Sequence, residues 1–374
     1  MEIGLFLPVG TKGFLISTTA PPMDPTFETI LRIVQRAEEA NFDFCLSMVK
    51  LHGFGGPSHY WDACLDSFTS IAGVLARTNK IKLFATAPIL AFPPAICARA
   101  AATMDSIAPG RFGINIVTGW QKAEYDTMGL WPGESHYLRR YDYAREYVTI
   151  LKMLWETGRC TLDGEFFKMK DCEVFPTPST KIEIVCAGQS DEGMKFSARV
   201  GDYNFIGMRG INDPASVKPT IARMRAIGDA AGRQVGAYGL VMICADETRE
   251  LAEARWRRYC EGIDHQALAW AFEQTSLDKV AMTKKNTSVA HLNEATREVK
   301  SGAGSQEELS NVIAMSMGTF IGSYADVARM LDETAEIEGV SGVMIALADW
   351  HNDVDKFCSF VEPAMKSRAN RRKS

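Results

Sequence analysis

An abrupt change from apolar to polar residues between positions 111 and 125 marks a part of the chain that could do chemistry. Residues 111–117 form a β-branched run that predicts a strand buried on both faces, yet Asn115 lies inside it. A buried amide that lacks hydrogen-bond partners costs several kcal/mol. Asn115 is therefore expected either to be satisfied by other protein groups or to face a ligand.

Four further side chains that can bind a ligand follow this strand directly: Trp120, Gln121, Lys122 and Glu124. They supply an aromatic ring and three hydrogen-bonding groups just beyond the carboxyl end of a strand, where parallel α/β proteins place their ligands. Two interpretations stay open from these residues alone. In one they form a ligand site; in the other Asn115 caps a turn and Trp120 fills a core.

Strand-like and helix-like segments alternate from the first residues, which is the pattern of a parallel sheet covered by helices. The predicted strands are residues 3–8, 42–49, 81–87, 112–117, 182–187, 203–208, 237–244 and 342–347. The predicted helices are residues 26–40, 66–76, 95–108, 137–155, 191–200, 214–231, 250–261, 324–337 and 353–366.

Strand-helix units that close on themselves predict an α/β protein with a (β/α)8 TIM barrel, in one domain over residues 1–366. An open doubly wound sheet is the alternative, but no Gly-x-Gly-x-x-Gly follows the first strand. Insertions are expected after the fourth and seventh strands: a hairpin and turn at 158–180, and a polar, irregular segment at 263–318 that would act as a mobile lid. The basic residues 367–374 are expected to form a solvated, disordered tail.

Composition excludes several classes of function. The chain has 374 residues, a hydrophobic fraction of 46%, a charged fraction of 23% and a net charge of −5, which gives no basic field for nucleic acid. The nine cysteines are scattered and odd in number, and neither they nor the six histidines show metal-ligand spacing. We therefore expect reduced thiols and no metal. With no signal peptide or membrane-spanning run, the expected location is the cytoplasm.

In a barrel, ligands bind where each strand ends at its carboxyl side. The residues predicted there are Ser47, Lys50, Thr86, Asn115, Trp120, Glu124, residues 188–190, Asn204, Arg209 and residues 349–351. The loop at 188–193 (Gly-Gln-Ser-Asp-Glu-Gly) joins a strand to a helix, so its free amides could hold a phosphate. Residues 139–141 (Arg-Arg-Tyr) begin another helix and could add charge-assisted contacts to the same phosphate. The alternative is a plain helix cap beside a solvated helix face.

Other catalytic designs lack their motifs. The chain has no Gly-x-Ser-x-Gly elbow, no Walker loop and no His-x-His pair of a metal-dependent barrel hydrolase. An organic cofactor is the remaining source of difficult chemistry.

The residues resemble a known family, the bacterial-luciferase-like flavin monooxygenases, and within them the branch that opens pyrimidine rings. The motifs that carry this resemblance span nearly the whole chain in one register: residues 13–18 (GFLIST), 41–44 (NFDF), 46–48 (LSM), Lys50, 53–56 (GFGG), 93–96 (PPAI), 117–122 (VTGWQK), 186–191 (CAGQSD) and 322–325 (GSYA).

The resemblance implies a TIM barrel that binds FMN without a covalent bond at the strand ends. The implied FMN contacts are Val49, Lys50, Asn115, Glu124, Arg140, Tyr141 and Ser190. A pocket for O₂ would comprise Leu46, Thr86 and Asn115, and the substrate would meet Lys50, Trp120, Glu124 and Phe205. Asn115, Thr86, Leu46, Glu124 and Trp120 are thus the implied catalytic residues.

The implied reaction cleaves a uracil-like ring between N3 and C4 to a ureidoacrylate-type product. It would use O₂ and reduced FMN supplied by a separate NAD(P)H-dependent flavin reductase, in a homo-oligomer, a dimer or tetramer. The sequence departs from that branch at 88–90, 206–208 and 348–351, which leaves the substrate open. The alternatives are another small substrate such as an alkanesulfonate, a sulfone or an aromatic halide, a flavin-binding protein without turnover, and a deazaflavin-dependent reductase.

Overall fold

The computed structural model describes residues 1–278 and 312–370, and its centre is a closed barrel of parallel strands. The strands are β1 (Glu2–Leu7), β2 (Phe44–Ser47), β3 (Lys82–Pro88), β4 (Phe112–Val117), β5 (Arg159–Asp163), β6 (Lys168–Glu173), β7 (Glu183–Cys186), β8 (Tyr203–Gly207), β9 (Gly236–Asp246), β10 (Gly318–Ser323) and β11 (Val340–Leu347). Around the barrel the order is β1, β2, β3, β4, β7, β8, β9 and β11, and β11 pairs with β1 to close it. The predicted TIM barrel is confirmed.

Helices cover the barrel between successive strands. They are α1 (Phe27–Glu39), α2 (Ser67–Leu75), α3 (Pro94–Ile107), α4 (Lys122–Asp126), α5 (His136–Thr157), α6 (Asp191–Val200), α7 (Lys218–Ala230), α8 (Arg249–Glu261), α9 (His265–Leu277), α10 (Tyr324–Ala335) and α11 (Asp353–Lys356). Local sequence fixes several starts: Thr26, Asp66 and Ser190 each accept a hydrogen bond from an amide of the first turn of their helix. The predicted helix at 353–366 is instead a short α-helix followed by π and 3-10 turns.

Strand β10 was not predicted. It pairs with the second half of β9, Val241–Asp246, while β8 pairs with the first half, so β10 extends the wall above β8. The amides of Gly318 and Thr319 donate to the carbonyls of Met208 and Gly210, which continue β8. The carboxyl end of the barrel is therefore deeper on this side.

Aromatic rings fill the amino-terminal half of the barrel. The ring centroids of Phe44 and Tyr238 are 4.5 Å apart, and those of Phe44 and Phe84 are 5.9 Å apart. Gly4 and Gly113 make room for them, since a Cβ on either glycine would lie 2.3 Å from Phe44 or Phe84. The barrel interior is thus packed with aromatic rings at this end, below a surface cleft of about 560 Å³ that these rings also line, and barrel enzymes bind their ligands at the opposite end, where the strands reach their carboxyl ends.

The two predicted insertions differ in outcome. Residues 159–173 form the expected antiparallel hairpin, β5 and β6. The prediction of an irregular segment at 263–318 is wrong for residues 265–277, which form α9 and pack on α4, where Gln274 Oε1 accepts a hydrogen bond from the amide of Ala123 at 3.1 Å. The rest of the expected lid, 279–311, lies outside the described residues, so the single domain over 1–366 stays a prediction.

The predicted solvated tail is wrong for Arg368, whose side chain is fully buried at the amino-terminal end of the barrel. Its Nη1 lies 2.6 Å from Asp43 Oδ2 and 3.1 Å from the carbonyl of Met1, and its Nη2 donates to the carbonyl of Asn41. A buried guanidinium needs such partners, and a basic composition alone does not reveal them. Residues 371–374 of the tail lie outside the described residues.

Arg368→Ala is expected to lower the free energy of unfolding by about 3–5 kcal/mol, because it leaves the carboxylate of Asp43 without its buried partner. Urea denaturation measures the change. The control is Arg159→Ala, whose exposed pair with Glu173 at 2.7 Å is expected to contribute about 0–1 kcal/mol. Equal losses in the two variants would contradict the structural role of Arg368.

Candidate active site

A row of hydrogen bonds crosses three neighbouring strands at the carboxyl end of the barrel. Asn115 Nδ2 donates to Thr86 Oγ1 at 2.9 Å, and Thr86 Oγ1 donates to the carbonyl of Ser47 at 2.6 Å. All three residues are buried. The parallel register sets Thr86 directly beside Asn115, so the strand pairing itself creates the contact.

This row fixes the orientation of the Asn115 amide. The hydroxyl of Thr86 donates its one hydrogen to the carbonyl of Ser47, so toward Asn115 the Thr86 oxygen can only accept a hydrogen bond. The group of Asn115 that faces Thr86 must therefore be the NH₂. Asn115 Oδ1 is then left buried and without a hydrogen-bond partner among the residues the structure describes. A buried carbonyl in this state is costly unless a ligand supplies a donor.

Lys50 lies in a second polar cluster beside this row. Its Nζ is 2.9 Å from Glu124 Oε1 and also donates to Gln121 Oε1, and the side chains of Lys50 and Glu124 are 6% and 11% exposed. Glu124 Oε1 also accepts from the amide of Leu51 at 3.1 Å. The charge of Lys50 is therefore neutralised at close range, as a buried ammonium requires.

Aromatic rings surround the same ammonium group. Lys50 Nζ lies 5.2 Å from the ring centroids of Phe54 and Trp61 and 5.8 Å from that of Trp120. Such faces attract a cation and keep water away. Lys50 also lines a cavity of about 520 Å³ that it shares with Phe54, Trp61 and Trp270.

A second cavity, of about 340 Å³, opens at the ends of β4, β7, β8 and β9, within the roughly 300–1,000 Å³ range of ligand clefts. Its lining residues are Ile116, Val117, Thr118, Trp120, Arg140, Tyr141, Ala187, Gly188, Gln189, Ser190, Phe196, Phe205, Gly207, Leu240, Asp278, Met315, Ser316 and Met317. We call it the strand-end cavity. Trp120 lines the strand-end cavity, and its ring centroid lies 5.8 Å from Nζ of Lys50, which lines the first cavity.

One end of the strand-end cavity has the form of an anion cradle. Gly188 and Gly193 approach so closely that a Cβ on Gly188 would lie 2.5 Å from the Cα of Gly193. A Cβ on Gly193 would lie 2.7 Å from the hydroxyl of Tyr141. Ser190 caps α6 through the amide of Gly193 at 3.2 Å. The backbone amides of a helix start thus meet a tyrosine hydroxyl, a geometry that suits a phosphate.

Arg140 meets a carboxylate at the same end. Its Nη1 is 2.5 Å from Asp278 Oδ2, and both residues line the cavity. Arg140 Nε is buried with no hydrogen-bond partner within residues 1–278 and 312–370. The guanidinium is therefore held in place by Asp278 and retains a donor of its own.

His136 positions the loop that leads to Trp120. Its Nε2 lies 2.7 Å from the carbonyl of Thr118 and 3.0 Å from that of Gly119. Burial lowers the pKa of His136 below the ordinary value, so the ring is neutral and carries its proton on Nε2, from which it donates to both carbonyls. The start of α5 is thus tied to the end of β4.

The predicted site residues fall into three groups. Trp120, Arg140, Tyr141, Ser190 and Phe205 line the strand-end cavity. Lys50 and Glu124 pair beside it, with Val49 half-buried next to Lys50. Asn115 and Thr86 bond each other, and Leu46 is buried on β2. The structure brings these groups to one end of the barrel, but the second and third groups are not among the residues lining the strand-end cavity.

Sequence reasoning named Gln121 as a side chain that could bind a ligand but gave it no specific role, and it missed His136 and Asp278. Gln121 is fully buried, and its Nε2 has no hydrogen-bond partner among the described residues. The sequence indicated Gln121 because it follows the buried strand at 111–117 directly. Asp278 pairs with Arg140, which lies 138 positions away in the sequence, and no local sequence pattern predicts that contact.

Within the described residues no group of three or more His, Cys, Asp and Glu side chains is placed to hold a metal, and no helix is long and apolar enough to cross a membrane. The fold is a TIM barrel with buried polar residues and a cavity at the carboxyl ends of its strands. A model of the luciferase-like monooxygenase family matches residues 1–340. The chain belongs to this family, and it is a flavin-dependent monooxygenase.

Its curated relatives include pyrimidine monooxygenases named RutA. The protein from Enterobacter cloacae is 49% identical over 99% of this chain and 98% of its own length, and that from Escherichia coli K12 is 48% identical over 99% and 93%. Among solved structures, a riboflavin lyase (RcaE) with modified FMN and riboflavin has a TM-score of 0.82 at 19% identity, covering 98% of this chain and 92% of that one. DmoA from Hyphomicrobium sulfonivorans has a TM-score of 0.81 at 18% identity, covering 98% and 88%. These two structures agree with the fold.

Thr86→Val is expected to lower the free energy of unfolding by about 1–3 kcal/mol, because the carbonyl of Ser47 and the Asn115 amide both lose a buried partner. Thr86→Ser keeps the hydroxyl and is the matched control. Chemical denaturation of the two variants and the parent measures the difference. If serine proved as damaging as valine, the loss would come from the methyl group and not from the hydrogen bonds.

Proposed function

We propose that the protein uses reduced FMN and O₂ to open the ring of uracil or a related pyrimidine at the N3–C4 amide, giving a ureidoacrylate-type product. The observation that carries the cofactor site is the buried, unpartnered Oδ1 of Asn115 at the strand ends. The pyrimidine substrate is supported by 48–49% identity to RutA proteins over almost the whole chain. A separate NAD(P)H-dependent reductase would supply the reduced FMN.

The residues present fit FMN. Gly188 and Gly193 pack against each other and against the hydroxyl of Tyr141, and this close packing brings the capped start of α6 to the wall of the strand-end cavity. Arg140 Nε is a buried donor without a partner in the described chain, so Arg140, Tyr141 and Ser190 would hold the phosphate. Val49, Lys50 and Glu124 would contact the ring system.

Reduced FMN, when bound, supplies the electrons that activate O₂ for attack on the substrate ring. Asn115 Oδ1 would accept a hydrogen bond from a ring N–H of the cofactor. Asn115 Nδ2 has a second N–H beside the one it donates to Thr86, and this donor would hold O₂. Leu46 and Thr86 would complete the oxygen pocket, whose apolar side keeps the reaction dry.

The substrate ring would lie between Trp120 and Phe205, both of which line the strand-end cavity. Negative charge develops on the C4 carbonyl oxygen as that carbon is attacked, and donors placed beforehand stabilise it. Lys50, oriented by Glu124, would supply positive charge close to the ring. Trp120 would also exclude water, because it closes the cavity toward Lys50.

The first test mixes the purified protein with FMN, a flavin reductase, NADH, uracil and ¹⁸O₂, and follows products by mass spectrometry. Thymine and an alkanesulfonate run in parallel. A ring-opened product of uracil that carries ¹⁸O is the expected result, and unlabelled product would indicate hydrolysis. Release of hydrogen peroxide with every substrate intact would contradict the proposed substrate.

Asn115→Ala is expected to retain FMN while losing oxygenation. The dissociation constant of FMN should change by less than about tenfold, whereas product formed per reduced flavin should fall by about 10²–10³-fold, the loss seen when a donor to a reacting group is removed. Equilibrium binding and coupled product yield measure the two quantities.

Asn204→Ala is the matched comparison. Asn204 is another fully buried strand amide with an unpartnered Oδ1 among the described residues, but its Nδ2 donates to the carbonyl of Gly188 in the cradle. This variant should weaken FMN binding and leave the product yield per bound flavin unchanged. Normal coupling in Asn115→Ala would remove Asn115 from the handling of oxygen.

A further inference from the structure

Gly207 occupies the last inward position of β8. Phe205 and Gly207 line the strand-end cavity, whereas the intervening Ile206 is buried outside it. The parallel register sets Gly207 beside Leu240 of β9, and Gln189 lies on its other side. The cavity wall therefore has no side chain at the point where Phe205, Leu240 and Gln189 meet.

No contact within residues 1–278 and 312–370 requires a glycine at this position. Among the described residues, a Cβ built on Gly207 would meet Gln189 Nε2 at 3.5 Å and Gln189 Oε1 at 3.8 Å and no other atom within 4 Å, which is ordinary contact. The backbone of Gly207 does not have positive φ. By contrast, Gly4 and Gly113 on the inner wall each face a phenylalanine ring 2.3 Å from their missing Cβ.

A glycine inside a strand weakens it, because it adds backbone entropy to the unfolded chain and no packing to the folded one. Close approach of a ligand is one physical reason for a glycine in a strand, and it applies to Gly207 because this residue lies on the cavity wall. The surroundings give the chemistry of that ligand group, since Phe205 and Leu240 are apolar and Gln189 supplies a single amide at the rim.

We propose that Gly207 determines substrate specificity: the gap at this residue receives an alkyl substituent carried by the ring of the substrate. The inference rests on the proposed function, because it places a pyrimidine ring against Phe205. It deepens that function by assigning the enzyme to substituted pyrimidines in preference to uracil itself. The substituent would lie between Leu240 and Gln189.

The experiment compares Gly207→Ala and Gly207→Val with the parent protein. Gly239→Ala is the matched control, because Gly239 is also a strand glycine with its nearest neighbour, Met208 Sδ, at 3.5 Å, but it faces Met208 and Val217 outside the cavity. Calorimetry on the protein loaded with oxidised FMN gives the dissociation constants of uracil, 5-ethyluracil and 6-methyluracil. Equilibrium binding gives that of FMN.

The parent protein is expected to bind at least one alkylated uracil more tightly than uracil. Gly207→Ala should lower that preference about tenfold or more, as one methylene of lost space does in an apolar pocket, and Gly207→Val should lower it further. Uracil and FMN should bind as in the parent, and Gly239→Ala should preserve every ratio.

An unchanged preference in both Gly207 variants would overturn the inference. So would weaker FMN binding with the pyrimidine ratios preserved, because the gap would then belong to the cofactor. If the ratios of dissociation constants change as expected but no pyrimidine is turned over, the role of Gly207 is supported and the proposed reaction is contradicted. If uracil is turned over but the ratios do not change, the proposed reaction is supported and the role of Gly207 is contradicted. Failure of every pyrimidine to bind would overturn both.

Discussion

The hydrogen bond between Asn115 and Thr86 decides what the site can offer to a ligand. Thr86 must donate to Ser47, so the amide nitrogen of Asn115 faces Thr86 and its oxygen remains without a partner in the described structure. The direction of donation is thus set by one backbone carbonyl two strands away. Strand β4, which is apolar apart from Asn115, therefore presents the amide oxygen of that residue in a fixed orientation.

The packed amino-terminal half of the barrel determines which side of the Asn115 amide a ligand can reach. Phe44, Phe84 and Tyr238 fill the amino-terminal half, so the polar row forms a boundary between a solid core and the open end. On the carboxyl side of this row, Trp120 lines the strand-end cavity, and His136 holds the loop that leads to it. A cofactor reaching from the glycine cradle toward Asn115 would pass beside this ring, which explains why the loop is tied so firmly.

Charge at the site is neutralised pairwise. Lys50 is held by Glu124, and Arg140 is held by Asp278. Each pair keeps a cation buried near a place where an anion or a developing negative charge is proposed, while the carboxylate offsets the cost of removing that cation from water. The phosphate end and the reacting end of the site are therefore built on the same electrostatic principle.

The sequence by itself predicted the barrel because its main strands and helices have local signals, such as β-branched runs in the strands and the helix caps Thr26 and Asp66. It also predicted the hairpin at 159–173 and indicated Asn115 as an amide that needs a partner. It missed β10, which contains two glycines in six residues, and it missed α9, whose apolar residues lie at the start of a long segment that is otherwise polar.

Only the tertiary structure decided which groups meet. Asn115 and Thr86 are 29 residues apart, Arg140 and Asp278 are 138 apart, and Arg368 reaches Asp43 across 325. The sequence determined that these residues are polar and that several must be buried. Their partners follow from strand register and barrel closure, which depend on the whole chain and not on any local pattern.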